Sequence, residues 1–534
     1  MIKKITASDI SNYDSCSRKI WLKFFEKDFE LAPVSGFMKY LAEQGNIFEK
    51  ECIDILKETD EVYTPSNFKE TISFMKKGVK YIYQAVLEDE NRVGHVDLLR
   101  RVDCDVSDDS VDFEESCSSI FGNYYYEIID IKSAILYSDI IETDLDKFLK
   151  KSIALQKSYG LQLFHYYELL DEIQQCSDDC DVGLYLWVKD RVGFSEIKFE
   201  EKVLNSFKNR KPLEENYLTL FEEIQMLDED DEIEPFKCSA CENCEWKTFC
   251  FDKMKKDAHC SLIRGVQKRG LADLNELGIK TISDFYEKVD DKTKIKYVLT
   301  GKDSFKTFKL RKQAQSLIED KDFYIGDSLK AFDEDYLLFY DIEGEMGHEF
   351  EYLHGVWEVN QNTGDKRYVS FIGSDKEKEG DVWNEFLDYV KGVKKKGSFK
   401  IIYYADYERV AWNNLSERYS TSSKDLDMLM NNSLDILKEW IDNKLILPRY
   451  NYSIKTVAPF YGFVWECTQN WYEDENGEKF QLDEANGGES IAWLDYWLSG
   501  KEHFKQIILD YNKDDCVATE FVYSKMVERY GSLK

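Results

Sequence analysis

The sequence has no hydrophobic run long enough to cross a membrane, and its first ten residues do not form an export signal. We therefore expect a cytoplasmic protein with no membrane partner. A chain of 534 residues is also too long for a single core. About three domains are the natural expectation for this length.

Positive charge is scarce as well. The chain has 71 Lys and Arg residues against 104 Asp and Glu residues, which gives a formal net charge of −33. This balance argues against a protein that coats nucleic acid non-specifically. Much of the acidic excess lies in short runs, such as 105–115 and 228–234, and these leave room for local basic patches elsewhere.

Disulfide bonds are not expected, because the 13 cysteines occur without an export signal. Metal or cluster ligation is the expected use instead. Four cysteines fall close together, at Cys238, Cys241, Cys244 and Cys250. A zinc ion would use these four locally, whereas an iron–sulfur cluster could take the last three with the distant Cys16. The spacing alone leaves both interpretations open.

Residues 124–134 are rich in β-branched and aromatic side chains and predict a strand buried on both faces. Side chains alternate along a strand, so Asp130 and Lys132 share one face. A second predicted strand, at 93–99, carries Asp97. Two acids and a lysine on paired strands would form a site for a hard cation beside a water-activating amine. The alternative is a buried structural ion pair.

Helical segments are predicted on either side of these strands. Glu49 lies in a helix expected over 38–56 and, taken alone, is typical of a solvated acid. Gln162 and Tyr166 are four residues apart and so share one face of a helix expected over 145–173. Such a pair could hold a nucleic-acid backbone or simply be half-buried packing.

The middle of the chain is predicted to be helical. Residues 261–288 contain two short helical patterns with glycines at their ends, which resembles a helix-hairpin-helix module. Such a module typically grips a DNA backbone through the amides of its turn. A basic stretch follows, and it could be a nucleic-acid face or a solvated helix surface. Its cationic residues are Lys302, Lys306, Lys309, Arg311 and Lys312.

The last third of the sequence places acids at the ends of predicted strands. A hydrophobic strand at 336–344 presents Asp341 and Glu343 on one face, and Glu408 follows a later strand. Tyr511 and Asp515 are four residues apart on the last predicted helix. Each piece alone carries little information, but the combination is specific.

Residues 1–255 resemble a RecB-like nuclease of the PD-(D/E)xK superfamily, in the branch that carries an iron–sulfur cluster. The residues that carry this resemblance are Asp97, Asp130, Lys132, Gln162, Tyr166, Cys16, Cys241, Cys244 and Cys250, with Glu49 in place of the acid or histidine of the family's early helix. The resemblance implies a restriction-endonuclease-like α/β core.

The same resemblance assigns roles to these residues. Glu49, Asp97 and Asp130 would bind Mg²⁺ or Mn²⁺, and Lys132 would orient or deprotonate the attacking water. Gln162 and Tyr166 would position the strand. The four cysteines would hold a cluster, of the 4Fe-4S type, that closes the domain around single-stranded DNA.

Residues 331–534 are similar to RNase H-like 3′–5′ exonucleases of the DEDD type, tyrosine variant, which have a mixed-sheet α/β fold. The resemblance implies that Tyr511 orients the nucleophilic water and that a metal pair is held by Asp341, Glu343, Glu408 and Asp515. The second motif departs from the family, because Glu408 stands where Asp is expected, with Asp406 close by. Residues 256–330 would be the helical, helix-hairpin-helix-like connector.

Together the resemblances imply a multidomain α/β nuclease that processes single-stranded or flapped DNA ends at two carboxylate metal sites. One alternative is an RNA-processing 3′–5′ exonuclease, in which the last domain does the work and the first is a binding platform. Another is a cluster-stabilised nucleic-acid-binding protein whose catalytic sites have decayed. The Glu408 departure supports that last alternative.

Overall fold

The chain divides into two compact units. In a computed structural model, the first unit comprises Met1–Val34 and Met38–Cys250, and the second comprises Ser35–Phe37 and Phe251–Lys534. The predicted division into three regions at 255 and 330 stays a prediction. The structure describes residues 4–26, 29, 31, 34–104, 118–133, 153–177, 180–190, 193–198, 213–301, 303–345 and 350–531.

A mixed sheet of seven strands forms the centre of the first unit. Its strands are β1 (Ile5–Thr6), β2 (Val62–Tyr63), β3 (Tyr81–Glu88), β4 (Arg92–Asp103), β5 (Tyr124–Lys132), β6 (Leu184–Asp190) and β7 (Gly193–Lys198). The strand order is β2-β3-β4-β5-β6-β7, and β1 pairs with β4. β3, β4 and β5 are successively antiparallel, while β5 and β6 are parallel. Because β5 lies inside the sheet, its residues from 125 to 131 are buried, as the sequence predicts.

Several helices precede, connect and follow the strands of this sheet. Those up to residue 256 are Ala7–Ser15, Ser17–Phe25, Gly36–Lys57, Phe68–Lys77, Ile153–Gln174, Leu213–Gln225 and Lys247–Lys256. The helix Ile153–Gln174 connects the parallel strands β5 and β6, and its Leu163 and Leu170 belong to one hydrophobic core with Val96 and Ile128. The predicted helix at 145–173 is confirmed from 153 onward, and its earlier residues lie outside the described part of the chain.

The second unit contains a five-stranded sheet and three small strand pairs. Its strands are β8 (Lys294–Ile295), β9 (Leu299–Thr300), β10 (Phe323–Tyr324), β11 (Tyr336–Gly344), β12 (Glu351–Asn360), β13 (Lys366–Ile372), β14 (Phe399–Tyr403), β15 (Ser433–Asp435), β16 (Leu445–Ile446), β17 (Tyr472–Glu473) and β18 (Lys479–Phe480). The larger sheet has the order β13-β12-β11-β14-β15. β11 is antiparallel to β12 and parallel to β14, which is itself parallel to β15.

The central strand β11 is covered on both faces. Leu337 and Phe339 belong to one core that includes Val522 of the last helix, and Leu338 and Tyr340 belong to a second core. This alternation follows from the two-residue period of a strand. The described helices of this unit are Leu271–Glu276, Ile282–Lys288, Ser304–Glu319, Glu379–Lys396, Tyr407–Arg418, Ser423–Asn431, Asp442–Lys444, Ile454–Phe460, Gly487–Leu498 and His503–Tyr530, with a π-helical turn at Ile436–Ile441. Among the described residues, none of the helices combines the length and the apolar composition that a membrane crossing requires.

Two short helices occupy the position predicted for the helix-hairpin-helix module. The turn between them contains Gly278 in the left-handed region, at φ 64°. The amides of residues 277–279 donate to the carbonyls of Asp273, Asn275 and Leu274, respectively. Those of residues 280 and 281 both donate to a carboxylate oxygen of Asp284. Each turn amide therefore already has an acceptor within the chain, and the predicted grip on a DNA backbone through these amides stays a prediction.

Candidate active sites

The second unit brings three acids together. Asp341 and Glu343 project from β11, and Asp515 projects from the helix His503–Tyr530. One carboxylate oxygen of each lies within 4.8 Å of the corresponding oxygens of the other two, and this is the group with metal-ligand spacing found within the described part of the chain. Residues two apart on a strand share a face, which is why β11 can supply two of the three. We call these three residues the acidic triad.

Asn512 orients the first acid of the triad. Its Nδ2 donates to Asp341 Oδ2 at 2.7 Å, and its Oδ1 accepts from Tyr368 Oη at 2.8 Å. Gly355 of β12 lies opposite Asp341 in the sheet, and a Cβ at that position would collide with Asn512 Oδ1. The glycine is therefore required for the close approach of Asn512 to Asp341.

The other two acids are held by side chains from segments distant in sequence. Ser490 Oγ donates to Glu343 Oε2 at 2.6 Å. Asp515 Oδ1 accepts from both Lys455 Nζ at 2.6 Å and Trp465 Nε1 at 2.5 Å. Lys455 therefore places a cation directly against the acidic triad.

Tyr511 lies beside this cation. The Lys455 ammonium is 4.4 Å from the centre of the Tyr511 ring and 4.2 Å from that of Trp465. Burial, and then the charge of Asp515, raises the pKa of Tyr511 well above its usual value. Its hydroxyl is therefore neutral and can donate or accept a hydrogen bond next to Asp515.

Without a metal ion, the carboxylates of the acidic triad repel one another. Burial, followed by the charges of Glu343 and Asp515, raises the pKa of Asp341 well above its usual value. Burial likewise raises the pKa of Glu343 to about 8, with Ser490 opposing the shift. Carboxylates whose ionisation is disfavoured in this way are suited to a divalent cation, which replaces the missing positive charge.

Glu408 borders the acidic triad without belonging to it. It lies in the first turn of the helix Tyr407–Arg418 and is buried. Its charge contributes to the raised pKa of Asp341, so the two carboxylates are close. Burial, together with the charges of Asp435 and Glu343, raises the pKa of Glu408 well above its usual value. Its Oε2 is buried and, among the described residues, accepts no hydrogen bond.

Asp435, at the end of β15, is a further acid at this edge of the sheet. Its Oδ1 accepts from the amides of Lys438 at 2.9 Å and Ala405 at 3.2 Å. Its Oδ2 is buried and finds no donor within the described part of the chain. The signal in the sequence was available, because Asp435 lies between hydrophobic residues, Leu434 before it and the pair at 436–437 after it.

The first unit brings Asp97, Asp130 and Lys132 together. The antiparallel pairing of β4 with β5 ends at the pair Leu98 and Ile129. Immediately beyond this pair lie Asp97 on β4 and Asp130 on β5. Ile131 donates its amide to Asp97 Oδ2 at 2.7 Å. Lys132 Nζ is 2.7 Å from Asp130 Oδ2 and 3.9 Å from Asp97 Oδ2.

The charges in this first-unit site partly compensate one another. Burial, and then the charge of Asp130, raises the pKa of Asp97 well above its usual value, while Lys132 opposes the shift. Burial disfavours the charged form of Lys132, but Asp130 and Asp97 outweigh it and raise the pKa of Lys132. Lys132 is therefore a cation at neutral pH in the metal-free protein.

One member of the predicted polar pair on the helix Ile153–Gln174, Tyr166, is near this site. Tyr166 is buried and packs against β4 so closely that a Cβ at Gly94 would lie 2.8 Å from Tyr166 Cδ1. Burial, followed by the charges of Asp130 and Asp97, raises the pKa of Tyr166 well above its usual value. Gln162 lies one helical turn earlier and is half-buried. Tyr159, which sequence reasoning did not select, has its ring centre 5.7 Å from Lys132 Nζ.

Glu49 lies at the margin of the same site. It accepts a hydrogen bond from Gln84 Nε2. Burial and the charge of Glu49 raise the pKa of Tyr83 to about 12, with a smaller contribution from Asp97. Tyr83 therefore lies within reach of both acids. Among the described residues, Glu49 does not form a group with metal-ligand spacing with Asp97 and Asp130.

Cys16 and the later cysteines surround one cavity. Cys16 separates the helices Ala7–Ser15 and Ser17–Phe25. A cavity of about 130 Å³ is lined by thiols at four positions. These are Cys16, Cys241, Cys244 and Cys250. Cys238 Sγ is 3.9 Å from Cys241 Sγ, and Cys238 is not among the residues that line the cavity. We call the four lining residues the cysteine group.

The helix Ser17–Phe25 contacts the segment that carries the later cysteines through a hydrogen bond and an ion pair. Trp21 Nε1 donates to the Asp228 carbonyl at 2.8 Å, and Lys19 Nζ is 3.1 Å from a carboxylate oxygen of Glu245. Burial raises the pKa of Cys244 and of Cys250, and the nearby cations Lys19 and Arg18, respectively, oppose these shifts. Cations beside thiols favour the thiolate form that binds metals.

A family model of the RNase H superfamily matches residues 338–527. The match contains all three residues of the acidic triad and includes Glu408 and Tyr511. No curated protein and no solved structure matches the chain. The RNase H-like nature of this part of the second unit is thus supported, and such domains generally hydrolyse phosphodiester bonds of nucleic acids with divalent metals. The RecB-like resemblance of residues 1–255 stays a prediction.

Proposed function

We propose that this protein is a metal-dependent nuclease with two separate sites for phosphodiester hydrolysis. The observation that carries the proposal is the acidic triad, which lies inside the part of the chain that matches the RNase H superfamily. Two buried carboxylates and a half-buried one, with a shared deficit of positive charge, are costly to keep unless they bind a cation.

In the second-unit site, the acidic triad would hold a divalent ion, and the orphaned oxygen of Glu408 could extend the set to a second ion. When bound, Mg²⁺ or Mn²⁺ activates water and neutralises charge on the scissile phosphate. Tyr511 would position the water through its neutral hydroxyl. Asn512 keeps Asp341 in its ligating orientation.

Lys455 adds a cation that sequence reasoning did not identify. In the metal-free protein its ammonium pairs with Asp515. A metal ion at the acidic triad would compete for the same carboxylate, and the ammonium could then offset charge on a bound phosphate. Trp465 Nε1 would continue to hold Asp515 in place.

In the first-unit site, Asp97 and Asp130 would bind the divalent ion, with Glu49 at the margin. Lys132 is charged in the metal-free protein, which supports a role in orienting water and offsetting phosphate charge. Gln162 and Tyr166 would contact the nucleic-acid strand. Two such sites on one chain suit the processing of single-stranded or flapped DNA ends, the substrate that we propose.

The cysteine group would hold an iron–sulfur cluster. A single zinc ion with Zn–S bonds of about 2.3 Å needs thiolates less than about 4 Å apart. No three cysteines of the described residues come within 4.8 Å of one another as metal ligands, while Cys16 lines the cavity together with Cys241, Cys244 and Cys250. A larger inorganic group with thiolate ligands fits this donor set better than one ion does.

Cleavage assays test the two sites separately. The parent protein with Mg²⁺ or Mn²⁺ should cleave single-stranded DNA. Asp341→Asn and Lys132→Met should each remove one component of this activity, by about 100-fold or more, and the double variant should remove both. Asp388→Asn is the control, because its side chain is 79% exposed on a distant helix of the second unit. A double variant that cleaves like the parent would refute the proposal, and RNA cleavage exceeding DNA cleavage would favour the RNA-processing alternative.

The proposed cluster has its own test. Protein purified without oxygen should be brown and contain iron and sulfide, and Cys16→Ser should remove the colour. Cys238→Ser should leave it unchanged, because the family resemblance assigns the cluster to the other four cysteines, although Cys238 interacts with both Cys16 and Cys241. A colourless protein with one zinc ion, retained in Cys16→Ser and lost in Cys238→Ser, would establish the local four-cysteine site instead.

A further inference from the structure

The helix Ser304–Glu319 presents aromatic rings to solvent. Phe305 is 57% exposed and Phe308 is 45% exposed. The opposite face of the helix is buried through Thr307, Leu310 and Ala314, so the core of the unit does not need these two rings. Exposed large apolar side chains that cluster in this way mark a binding surface.

These rings line an open groove of about 560 Å³. Tyr286, from the helix Ile282–Lys288, and the cations Arg311 and Lys312 line the same groove. Positions 305, 308 and 312 are separated by three and four residues, so they form one stripe along the helix. Arg311 Nε donates to the Tyr286 carbonyl at 3.2 Å, and its guanidinium carbon is 5.5 Å from the centre of the Tyr286 ring.

The groove is locally basic in a strongly acidic protein. The residues that line it include two cations, Arg311 and Lys312, and one acid, Asp291, a balance of 2 − 1 = +1, whereas the whole chain carries −33. Within the described residues, neither Arg311 nor Lys312 has a carboxylate at salt-bridge distance, although Asp291 also lines the groove. Lys312 Nζ instead donates to Gln315 Oε1 at 2.8 Å. Lys312 Nζ also lies 4.4 Å from the centre of the Phe323 ring, so both cations have uncharged partners and neither is neutralised by a carboxylate of the described residues.

We propose that this groove binds single-stranded nucleic acid, with bases stacking on Phe305 and Phe308 and phosphates contacting Arg311 and Lys312. Flat rings interleaved with cations are the combination that binds single strands with little regard to sequence. Binding here uses side chains, which agrees with the observation that the amides of the turn at 277–281 are already satisfied. The inference does not depend on either proposed nuclease site.

Fluorescence anisotropy of the full-length protein with a labelled oligothymidylate, in EDTA, tests the proposal. Without divalent ions the two acidic sites repel phosphate, so the groove should dominate binding. The double substitution Phe305→Ala and Phe308→Ala should weaken binding about tenfold or more, because each stacked base contributes about 1–3 kcal/mol. Ile318→Ala is the matched control, because Ile318 is 50% exposed on the same helix and does not line the groove.

A second arm tests the cations. Lys312→Ala should weaken binding and lower the slope of affinity against salt concentration by about 1, as expected for one lost phosphate contact. Lys306→Ala should change the slope less, because Lys306 is exposed on the same helix but outside the groove. Asp341→Asn, which removes a negative charge from the acidic triad, should not weaken binding, and this outcome separates the groove from that site. Unchanged binding by the double phenylalanine variant would overturn the proposal. If the groove then proved to bind a protein partner, the proposal would equally be overturned.

Discussion

The two candidate sites compensate their buried acids differently. In the first unit, Lys132 Nζ lies 2.7 Å from Asp130 and 3.9 Å from Asp97, so one cation serves two carboxylates. In the second unit, Lys455 Nζ contacts Asp515 at 2.6 Å, while Asp341 and Glu343 are held by the uncharged side chains of Asn512 and Ser490. The second site therefore has the larger deficit of positive charge when no metal is bound.

This difference has consequences for stability. Burying like charges together opposes folding, whereas an acid paired with a lysine is destabilised mainly when its partner is removed. The second unit should therefore depend more strongly on divalent ions than the first. Substitutions that remove a carboxylate should therefore change the free energy of unfolding in opposite directions at the two sites. A gain in stability on removing a functional carboxylate is common at active sites.

The largest expected effect is a difference in cleavage activity between substitutions of Lys132 and of Lys455. Lys132→Met should lower first-site cleavage about 100-fold, because no other cation contacts Asp130 within the described residues. Lys455→Met should lower second-site cleavage about tenfold, since Trp465 Nε1 still holds Asp515 and a metal replaces the lost charge. Cleavage by each site should be measured with the other inactivated, by Asp341→Asn or Asp130→Asn.

Lys330→Met provides the control for these two variants, because Lys330 is exposed and belongs to neither site. Equal losses in Lys132→Met and Lys455→Met would contradict the asymmetry between the sites.

The next effect concerns folding stability without metal. Asp130→Asn should lower the free energy of unfolding by about 2 kcal/mol, because Lys132 loses its nearest partner. Asp341→Asn should raise it by about 1 kcal/mol, because repulsion with Glu343 is relieved and an amide oxygen can still accept from Asn512. Thermal unfolding in EDTA, with the two units followed as separate transitions, measures both changes.

Excess Mg²⁺ should reverse the order of Asp341→Asn and the parent, because only the parent gains stability from the metal. Changes of the same sign in both variants without metal would show that the two sites do not differ in charge compensation.

The parts of these sites that follow local patterns could be predicted from the sequence. Asp341 and Glu343 are two apart on a hydrophobic strand, and Tyr511 and Asp515 are four apart on a helix, so periodicity placed each pair on one face. The same period gave Asp130 and Lys132 on β5. In each case the backbone geometry of a single element fixes the arrangement.

The supporting residues could not be found in this way. Lys455 and Trp465 lie 60 and 50 residues from Asp515, on a segment with no periodic relation to it. Ser490 is 147 residues from Glu343. Contacts over such separations depend on tertiary packing, which carries no local signature. The spacing left open whether Cys16 joins the later cysteines, and only the family resemblance favoured it, since 222 residues separate it from Cys238.

The smallest expected effect is a dependence of stability on pH that belongs to the second site. In the metal-free protein the pKa of Glu343 is raised to about 8, whereas an unfolded Glu titrates near about 4.3. Between these values the unfolded chain has released this proton and the folded protein retains it. Stability should therefore fall as pH rises through this window, by at most about 1.4 kcal/mol per pH unit.

Glu343→Gln removes this titration, so the stability of the parent relative to Glu343→Gln should decline from about pH 4.3 to about pH 8 and then level off. Glu385→Gln, at an exposed position on the helix Glu379–Lys396, should give a difference that does not vary over the same window. Saturating Mg²⁺ should abolish the slope for the parent in this window, because metal binding requires the ionised carboxylate, so neither the folded nor the unfolded state then carries this proton. Unfolding curves collected in EDTA and in Mg²⁺ across this pH range would measure both slopes. If the stabilities of the parent and of Glu343→Gln changed identically with pH without metal, the pKa of Glu343 would not be raised in the folded protein. The second site would then depend on its metal ion no more than the first.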